Sequence, residues 1–230
     1  MCNHYRNDIR RLDEAWAIYG FEDFSQIRIP LRFHSLPMDV FPDREAAVLV
    51  KTPRGLSLEV MRWGFPPVPT PGGTSGFVTN VRNVGSAYWR PWLAQDYRCL
   101  VPVTAFSEWG AGLPKGERWF TMANREPFFL AGVWRPWRGE RGTKASPETG
   151  DHRLFAFLTC KPNALVEPIH PKAMPVVLRP GEAQTWLSAP TDVALELQRP
   201  VPEDVLTLEP FEPPPSRARK SEDDDPPRLL

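Results

Sequence analysis

The sequence predicts a single α+β domain in which antiparallel strands dominate and a few short helices join them. The chain has 230 residues, of which 41% are apolar, enough for a real core, and 28 are Pro. Abundant Pro and the scarcity of long helical periodicity favour strands and ordered loops over a helical bundle. Strands do not alternate with helices of about 10 to 15 residues, so a doubly wound parallel sheet is not expected.

The first half of the chain predicts one helix and one clear hairpin. Asn7 is a candidate cap for a helix through about Tyr19, because its apolar residues fall on one face. Residues 46–52 and 56–63 have the composition of two strands around a Pro-Arg-Gly turn. Residues 66–76, rich in Pro and Gly, are predicted to form a loop.

The second half predicts further strands and one helix. Residues 99–110 form an apolar segment that predicts a single strand ending in a polar cluster. Three more buried or half-buried strands are predicted, at 119–124, 128–137 and 154–160. The polar residues 138–151 are expected to form a mobile loop. Residues 161–178 are expected to form a loop or a short helix that runs into a strand. Pro180 and Gly181 open a helix that runs through Leu187.

The domain is expected to span residues 1–211, followed by a disordered tail at 212–230. This last stretch is Pro-rich, polar and charged, a composition that cannot bury enough apolar surface to fold.

Composition also limits the classes of function. The formal net charge is zero, so binding to a polyanion requires a local basic patch. The three cysteines are odd in number and widely spaced, which predicts no disulfide framework and no zinc site. No cofactor and no other metal are expected. No secretory signal and no apolar run of about 18 residues is present, so we expect a cytoplasmic protein without a membrane partner.

Cys2 is the first candidate for chemistry because of its position. Removal of Met1 would leave an α-amine and a thiol on adjacent carbons. The amine has a pKa of roughly 7.7–8.0, so a neutral fraction exists at pH 7 and can attack an aldehyde to give an imine. The thiol can then close on the imine carbon, which yields a durable five-membered thiazolidine. The other two cysteines, Cys99 and Cys160, lie in apolar strands and are expected to be buried and inert.

Four segments in a fixed order carry a resemblance to a known family. They are MCNHY at the start, RWGF with TNVRN in the middle, CLVPVTAFSEW after these, and LTCKPNALVEPIHPKAMPVVL, which together span about residues 1–190. This ordered set resembles the SOS response-associated peptidase family, also called abasic-site processing proteins. The resemblance implies a barrel-like, mainly antiparallel sheet with a few short helices.

The resemblance also implies roles for four residues. Cys2 matches the family cysteine, the nucleophile that crosslinks to an abasic site in single-stranded DNA and that is exposed by self-removal of Met1. Asn80 matches the asparagine that orients the amine and the sugar. Glu108 matches the glutamate that holds the amine and moves its protons, with a pKa raised by partial burial. His170 matches the histidine that opens the closed sugar. The implied enzyme is an autopeptidase, a hydrolase, with lyase activity as a further implication.

Contacts to DNA are expected from basic and aromatic residues in or near the matched segments. Phosphate contacts are assigned to Arg82, Arg90, Lys172 and, as a further candidate, Lys161. Trp63 is the preferred aromatic for stacking on DNA, with Trp89 and Trp92 as alternatives. The protein is expected to be a monomer that associates with the nucleoid when it acts on DNA.

The start of the chain departs from the family pattern. Family members commonly begin Met-Cys-Gly-Arg, whereas this chain has Asn3 and His4 after Cys2. His4 therefore replaces a phosphate-binding arginine, and we expect a weaker and pH-sensitive contact with DNA. A third-position histidine also matches a Cu(II) or Ni(II) motif, which we interpret as a chance match because the terminus should be buried in a cleft.

Two other functions remain open from the sequence. Cys2, His170 and Asn80 superficially supply the Cys-His-Asn set of a thiol peptidase acting on other proteins. A non-covalent single-strand-binding module needs only basic and aromatic surface, although zero net charge argues mildly against it.

Overall fold

Two β-sheets share one apolar core in the computed structural model, which describes residues 2–21, 29, 31–67, 76–110, 114–143 and 145–211. The predicted tail, 212–230, lies outside the described residues, as does most of the loop predicted at 66–76. The strands are β1 (His4–Arg6), β2 (Asp39–Val40), β3 (Glu45–Thr52), β4 (Gly55–Trp63), β5 (Asn80–Val81), β6 (Arg98–Val103), β7 (Ala105–Gly110), β8 (Gly116–Met122), β9 (Phe128–Thr143), β10 (Ser146–Cys160), β11 (Met174–Pro175), β12 (Val177–Leu178) and β13 (Leu206–Leu208). The α-helices of the described residues are α1 (Leu12–Ile18), α2 (Glu182–Ser188) and α3 (Thr191–Leu195).

Five of these strands close into a barrel. They are hydrogen-bonded in the order β10, β4, β3, β6 and β9, and β9 pairs again with β10. All contacts around the ring are antiparallel except that between β10 and β4. The short strands β5 and β11 add to β10, and β12 adds to β9. The predicted class, a mainly antiparallel α+β domain with a barrel-like sheet, is confirmed.

The second sheet places the start of the chain in its interior. Its order is β13, β8, β7, β1 and β2, with every pair antiparallel. Tyr5 of β1 lies opposite Phe106 on one side and Val40 on the other. A strand with a hydrogen-bonded neighbour on each edge cannot fray like a free terminus, so β1 holds the residues next to it in place.

The segment 99–110 is two strands, not the one predicted. β6 belongs to the barrel, β7 belongs to the second sheet, and Thr104 lies between them, its backbone N–H bonded to the Arg6 carbonyl at 2.8 Å. All six residues of β6 are buried, because the barrel wall is covered on both faces. A strand buried on both faces lacks the alternation that would mark its end.

The prediction of a mobile loop at 138–151 is also wrong. β9 and β10 continue as a paired ribbon from Arg138 opposite Asp151 to Thr143 opposite Ser146. Most of its side chains are exposed, so no apolar alternation signals the strands. The pairing therefore depends on backbone hydrogen bonds, which a hydropathy pattern does not reveal.

Other local predictions are confirmed. β3 and β4 form the expected hairpin, and α2 begins directly after Gly181. The first helical segment opens with a 3-10 turn, Ile9–Arg11, whose cap is the Asp8 side chain instead of Asn7. No helix in the described part of the chain has both the length and the apolar character to cross a membrane.

Candidate functional site

Cys2 lies two residues before the start of β1 and is completely buried. Its Sγ donates to the His4 carbonyl at 3.4 Å, an oxygen that also accepts from Ser107 Oγ at 3.1 Å. The thiol is thus hydrogen-bonded to β1, and the His4 carbonyl oxygen that accepts this bond also joins β1 to Ser107 of β7. The residue predicted as nucleophile therefore has a defined position.

Asn80 connects the barrel to Cys2. It opens β5, which runs parallel to β10 with Asn80 opposite Phe157. Its Nδ2 donates to the Cys2 carbonyl at 3.2 Å and to Thr79 Oγ1 at 2.7 Å. The fold therefore joins two residues 78 positions apart through one carboxamide.

Glu108 and His170 meet beside Cys2. Glu108 is a buried residue of β7, and one of its oxygens, Oε2, lies 3.9 Å from His170 Nδ1. The same Nδ1 lies 2.7 Å from the Ala173 carbonyl, so in the neutral ring it carries the proton and donates to that oxygen. This tautomer leaves the lone pair on Nε2, the atom that can accept a proton and afterwards release it.

Burial shifts the pKa values of Glu108, Cys2 and His170. It raises the pKa of the Glu108 carboxyl to about 7, in agreement with the shift expected from the sequence. Burial raises the pKa of the Cys2 thiol well above its usual range, and the charge of Glu108 adds to this shift. Burial lowers the pKa of His170, the Ala173 carbonyl opposes the shift, and the positive charges of Lys172 and Arg82 reinforce it.

The predicted phosphate-binding residues divide into two groups. Arg82 and Lys172 are exposed and act electrostatically on His170, so they border the site. Arg90 is exposed, and its guanidinium donates to the Gly85 carbonyl at 3.2 Å. Lys161 is exposed as well. No contact places Arg90 or Lys161 beside Cys2.

The expectation that Trp63 faces DNA is wrong. Its ring is completely buried, lies 5.2 Å from that of Phe157, and meets Tyr5 edge-on at 5.1 Å. Its Nε1 donates to the Thr79 carbonyl at 3.1 Å. The motif RWGF contains a core residue that joins the two sheets, and an aromatic identity alone does not separate core from surface.

The two alternative tryptophans also pack against the protein. Trp89 is buried against Phe65, with ring centroids 5.0 Å apart. Trp92 is half-buried, and the guanidinium of Arg135 covers its ring at 4.2 Å.

His4 does not offer its ring to phosphate as expected. Nδ1 lies 2.8 Å from Glu117 Oε1 and Nε2 lies 3.0 Å from Asp39 Oδ1, so both nitrogens face carboxylates. The ring is also stacked on Phe41, with centroids 3.9 Å apart. This buried arrangement agrees with the interpretation of the Cu(II) motif as a chance match, because the imidazole is already engaged on both sides.

Two residues of the site neighbourhood were missed by sequence reasoning. Thr79, buried, is in hydrogen-bond contact with Asn80. Trp109 follows Glu108 in the matched segment FSEW and is 60% exposed. The period of two in a strand was the available signal for Trp109, because a buried Glu108 turns its neighbour to the opposite face.

The remaining cysteines differ in exposure. Cys99 is buried as predicted, whereas Cys160 is only half-buried. Burial nevertheless raises the pKa of Cys160 to about 12, so it is a protonated thiol at neutral pH.

Comparison with solved structures identifies three similar folds. A protein from Bordetella bronchiseptica has a TM-score of 0.71 and 21% identity, over 92% of this chain and 100% of that one. A protein from Bacteroides thetaiotaomicron has a TM-score of 0.65 and 18% identity, over 90% of each chain. A phage-related protein from Bordetella bronchiseptica has a TM-score of 0.62 and 20% identity, over 92% and 94%. At these identities the likeness concerns the fold.

Comparison of the sequence with protein families identifies the chain. No curated protein gives a significant match to it. Residues 1–213 match the family described as SOS response associated peptidase (SRAP), which includes nearly all of the described structure. The chain therefore belongs to the SOS response associated peptidase family.

Proposed function

We propose that this protein captures abasic sites in single-stranded DNA as a covalent crosslink through Cys2, after it has removed its own Met1. Membership of a family named for the SOS response supports a role in DNA damage. The observation that carries the finer proposal is the convergence of Asn80, Glu108 and His170 on a buried residue at position 2.

The first step is hydrolysis of the bond between Met1 and Cys2. Water adds across the amide, methionine leaves with the new carboxyl group, and Cys2 gains a free α-amine. Glu108 is suited to accept the proton of the attacking water, because a pKa of about 7 lets it exchange protons at neutral pH.

The second step joins the amine to the sugar. An abasic site is mostly a closed hemiacetal, and Nε2 of neutral His170 takes the proton of the hemiacetal hydroxyl and passes it to the ring oxygen as the C–O bond breaks, which releases the aldehyde. The amine of Cys2 adds to the aldehyde carbon, and loss of one water gives the imine. Glu108 moves the protons between amine, oxygen and water.

Ring closure follows because the thiol is held next to the amine. The sulfur forms a bond to the imine carbon, and the thiol proton is transferred to the imine nitrogen, which gives the thiazolidine without any other reactant. The raised pKa of Cys2 supports this order of events, since a protonated thiol leaves the first attack to the amine. The imine is also the species from which lyase chemistry would begin.

DNA binding is assigned to the rim of the site. Arg82 and Lys172 are exposed and their charges act on His170, which supports them as the residues that meet phosphates next to the lesion. Trp109, exposed beside Glu108, is suited to stack on a neighbouring base. Recognition of a missing base requires contacts to sugar and phosphate. In this proposal the protein acts as a monomer and associates with the nucleoid at damaged DNA.

The test is a denaturing gel of purified protein mixed with a single-stranded oligonucleotide that carries one abasic site. A heat-stable shifted band is expected with wild-type protein and is expected to disappear with Cys2→Ala and with an oligonucleotide whose bases are intact. Cys99→Ala is the matched control, because it removes a buried thiol of the barrel. A band that persists in Cys2→Ala would refute the proposal.

Two other functions are separated by the same samples. A thiol peptidase would cleave an unrelated peptide in trans and lose this turnover in Cys2→Ser. The raised pKa of Cys2 is the opposite of what an activated thiol nucleophile needs, so no turnover is expected. A non-covalent module would retain abasic and intact DNA equally, and only under native conditions.

A further inference from the structure

Thr79 lies between the core and the candidate site. Its side chain is buried and its Oγ1 accepts from Asn80 Nδ2 at 2.7 Å, the shorter of the two bonds that this nitrogen donates. Its carbonyl accepts from Trp63 Nε1 at 3.1 Å. The buried indole thus fixes the backbone of Thr79, and the threonine hydroxyl contacts the catalytic amide.

The hydrogen bonds of Asn80 define which way its amide faces. A carboxamide nitrogen has two hydrogens, and here one is directed to the Cys2 carbonyl and the other to the Thr79 hydroxyl. If the amide were rotated by 180°, Oδ1 would oppose the Cys2 carbonyl oxygen, and two acceptors would repel each other. The Cys2 carbonyl therefore determines which end of the amide faces Cys2, and the Thr79 hydroxyl holds the second hydrogen of Nδ2 and with it the plane of the amide.

This orientation leaves the oxygen end of Asn80 available for a ligand. Asn80 Oδ1 is buried, and within the described part of the chain it accepts no hydrogen bond. Buried acceptors without a partner are rare in folded proteins and need an explanation. Oδ1 belongs to the same planar group whose nitrogen donates to the Cys2 carbonyl, so a buried acceptor without a partner lies near Cys2.

We propose that Thr79 is a positioning residue that keeps Asn80 Oδ1 directed at the α-amine of processed Cys2. The inference rests on the proposed function and deepens it, since it assigns the orientation of the nucleophile to a residue that touches neither DNA nor the reacting atoms. When the hydroxyl is absent, a buried N–H of Asn80 loses its acceptor, and the amide turns to regain one.

The test compares Thr79→Val, which removes the hydroxyl at nearly constant shape, with Thr79→Ser, which keeps it. Each variant is used after removal of Met1, which is verified by intact-mass measurement. Crosslinking to abasic single-stranded DNA is measured in single turnover over a series of DNA concentrations. T79V is expected to lower the maximal rate constant roughly 3- to 10-fold, the effect of one lost hydrogen bond, without a change in the half-saturating DNA concentration. T79S is expected to stay within about twofold of wild type.

Two further variants keep the comparison interpretable. Thr121→Val is the matched control, because Thr121 is buried in β8 and its hydroxyl has no hydrogen-bond partner among the described residues. It is expected to crosslink at the wild-type rate. Thr79→Ala provides a second variant without the hydroxyl if T79V folds poorly, and slow T79A beside fast T79S supports the proposal.

Three outcomes overturn the inference. T79V and T79A at the wild-type rate would show that the hydroxyl is not needed. Equal slowing in T79V and T79S would assign the effect to packing of the methyl group. A changed half-saturating concentration at an unchanged maximal rate would assign Thr79 to DNA binding. Failure of the wild-type protein to crosslink would refute the proposed function together with this inference. The wild-type measurement therefore tests the proposed function, and the comparison of variants tests the role of Thr79.

Discussion

At the scale of single residues, Glu108 changes its protonation close to neutral pH. Burial raises its pKa from an ordinary 4.5 to about 7. Between these values the folded protein binds a proton that the unfolded chain has already released. The contribution of Glu108 to stability is therefore complete below about pH 4.5 and is lost as the pH rises through about 7.

Glu108→Gln is accordingly expected to stabilise the protein at high pH. The substitution removes the titration, so the free energy of unfolding of the variant, relative to wild type, should increase by up to about 3 kcal/mol between pH 4.5 and 8. Urea unfolding of both proteins at a series of pH values measures this difference. Glu167→Gln, which removes an exposed carboxylate, is the control. A difference that does not vary with pH would contradict the prediction.

The sequence contained the chemistry of the site but not its support. Cys2, Asn80, Glu108 and His170 stand in segments whose order could be recognised, and the fold brings them together. The environment of His4 was not foreseeable, because its carboxylate partners come from β2 and β8. Such contacts depend on strand register, which one sequence without a fold does not reveal.

At the scale of elements, α2 is joined to the barrel by the buried guanidinium of Arg98. Nη1 donates to the Trp186 carbonyl at 3.0 Å and to the Ala189 carbonyl at 2.7 Å, while Nη2 donates to Thr191 Oγ1 at 2.8 Å. Nε donates to the Leu93 carbonyl at 2.9 Å. One side chain of β6 thus satisfies backbone acceptors at and just beyond the end of α2, which have no partner inside the helix.

Arg98→Met should destabilise the fold strongly. Methionine has a similar length but no donor, so three buried carbonyl oxygens would lose a partner, each worth about 1 to 3 kcal/mol. The expected loss in the free energy of unfolding is at least about 3 kcal/mol, measured by urea denaturation. Arg54→Met, in the exposed turn between β3 and β4, should change stability by less than about 0.5 kcal/mol. Equal effects of the two substitutions would disprove this role of Arg98.

Elements could be predicted where apolar runs are bounded by turn residues. β3 and β4 have a Pro-Arg-Gly turn between apolar runs, and both were found with bounds within a residue or two. The division of 99–110 at Thr104 was missed because both halves are apolar, and the ribbon at 138–151 was missed because both of its faces are polar. Hydropathy cannot detect a change of sheet when burial does not change.

At the scale of the whole molecule, the two sheets form one cooperative unit. Tyr5 of the second sheet meets Trp63 and Phe157 of the barrel, at ring separations of 5.1 and 6.2 Å. The buried apolar residues of both sheets belong to a single cluster. β6 of the barrel and β7 of the second sheet are separated by one residue. Unfolding of either sheet therefore disrupts the other.

A single unfolding transition is the expected result. Far-UV circular dichroism and tryptophan fluorescence should give the same midpoint in urea, because Trp63 and Trp186 report on the barrel and Trp119 on the second sheet. Two separated transitions, or midpoints that differ between the probes, would show that the sheets are independent.

The position of β1 between β2 and β7 has a consequence for the order of events during synthesis. Residues 4 to 6 pair with residues 105 to 107, so the pairing of β1 with β7 must wait for a strand about a hundred codons downstream, although its pairing with β2 can form earlier. At about 5 to 20 residues per second, the interval lasts on the order of 5 to 20 s. During this time the amino terminus is open to enzymes that process nascent chains. The residues next to Cys2 therefore reach their final pairing with β7 only when nearly half of the chain already exists.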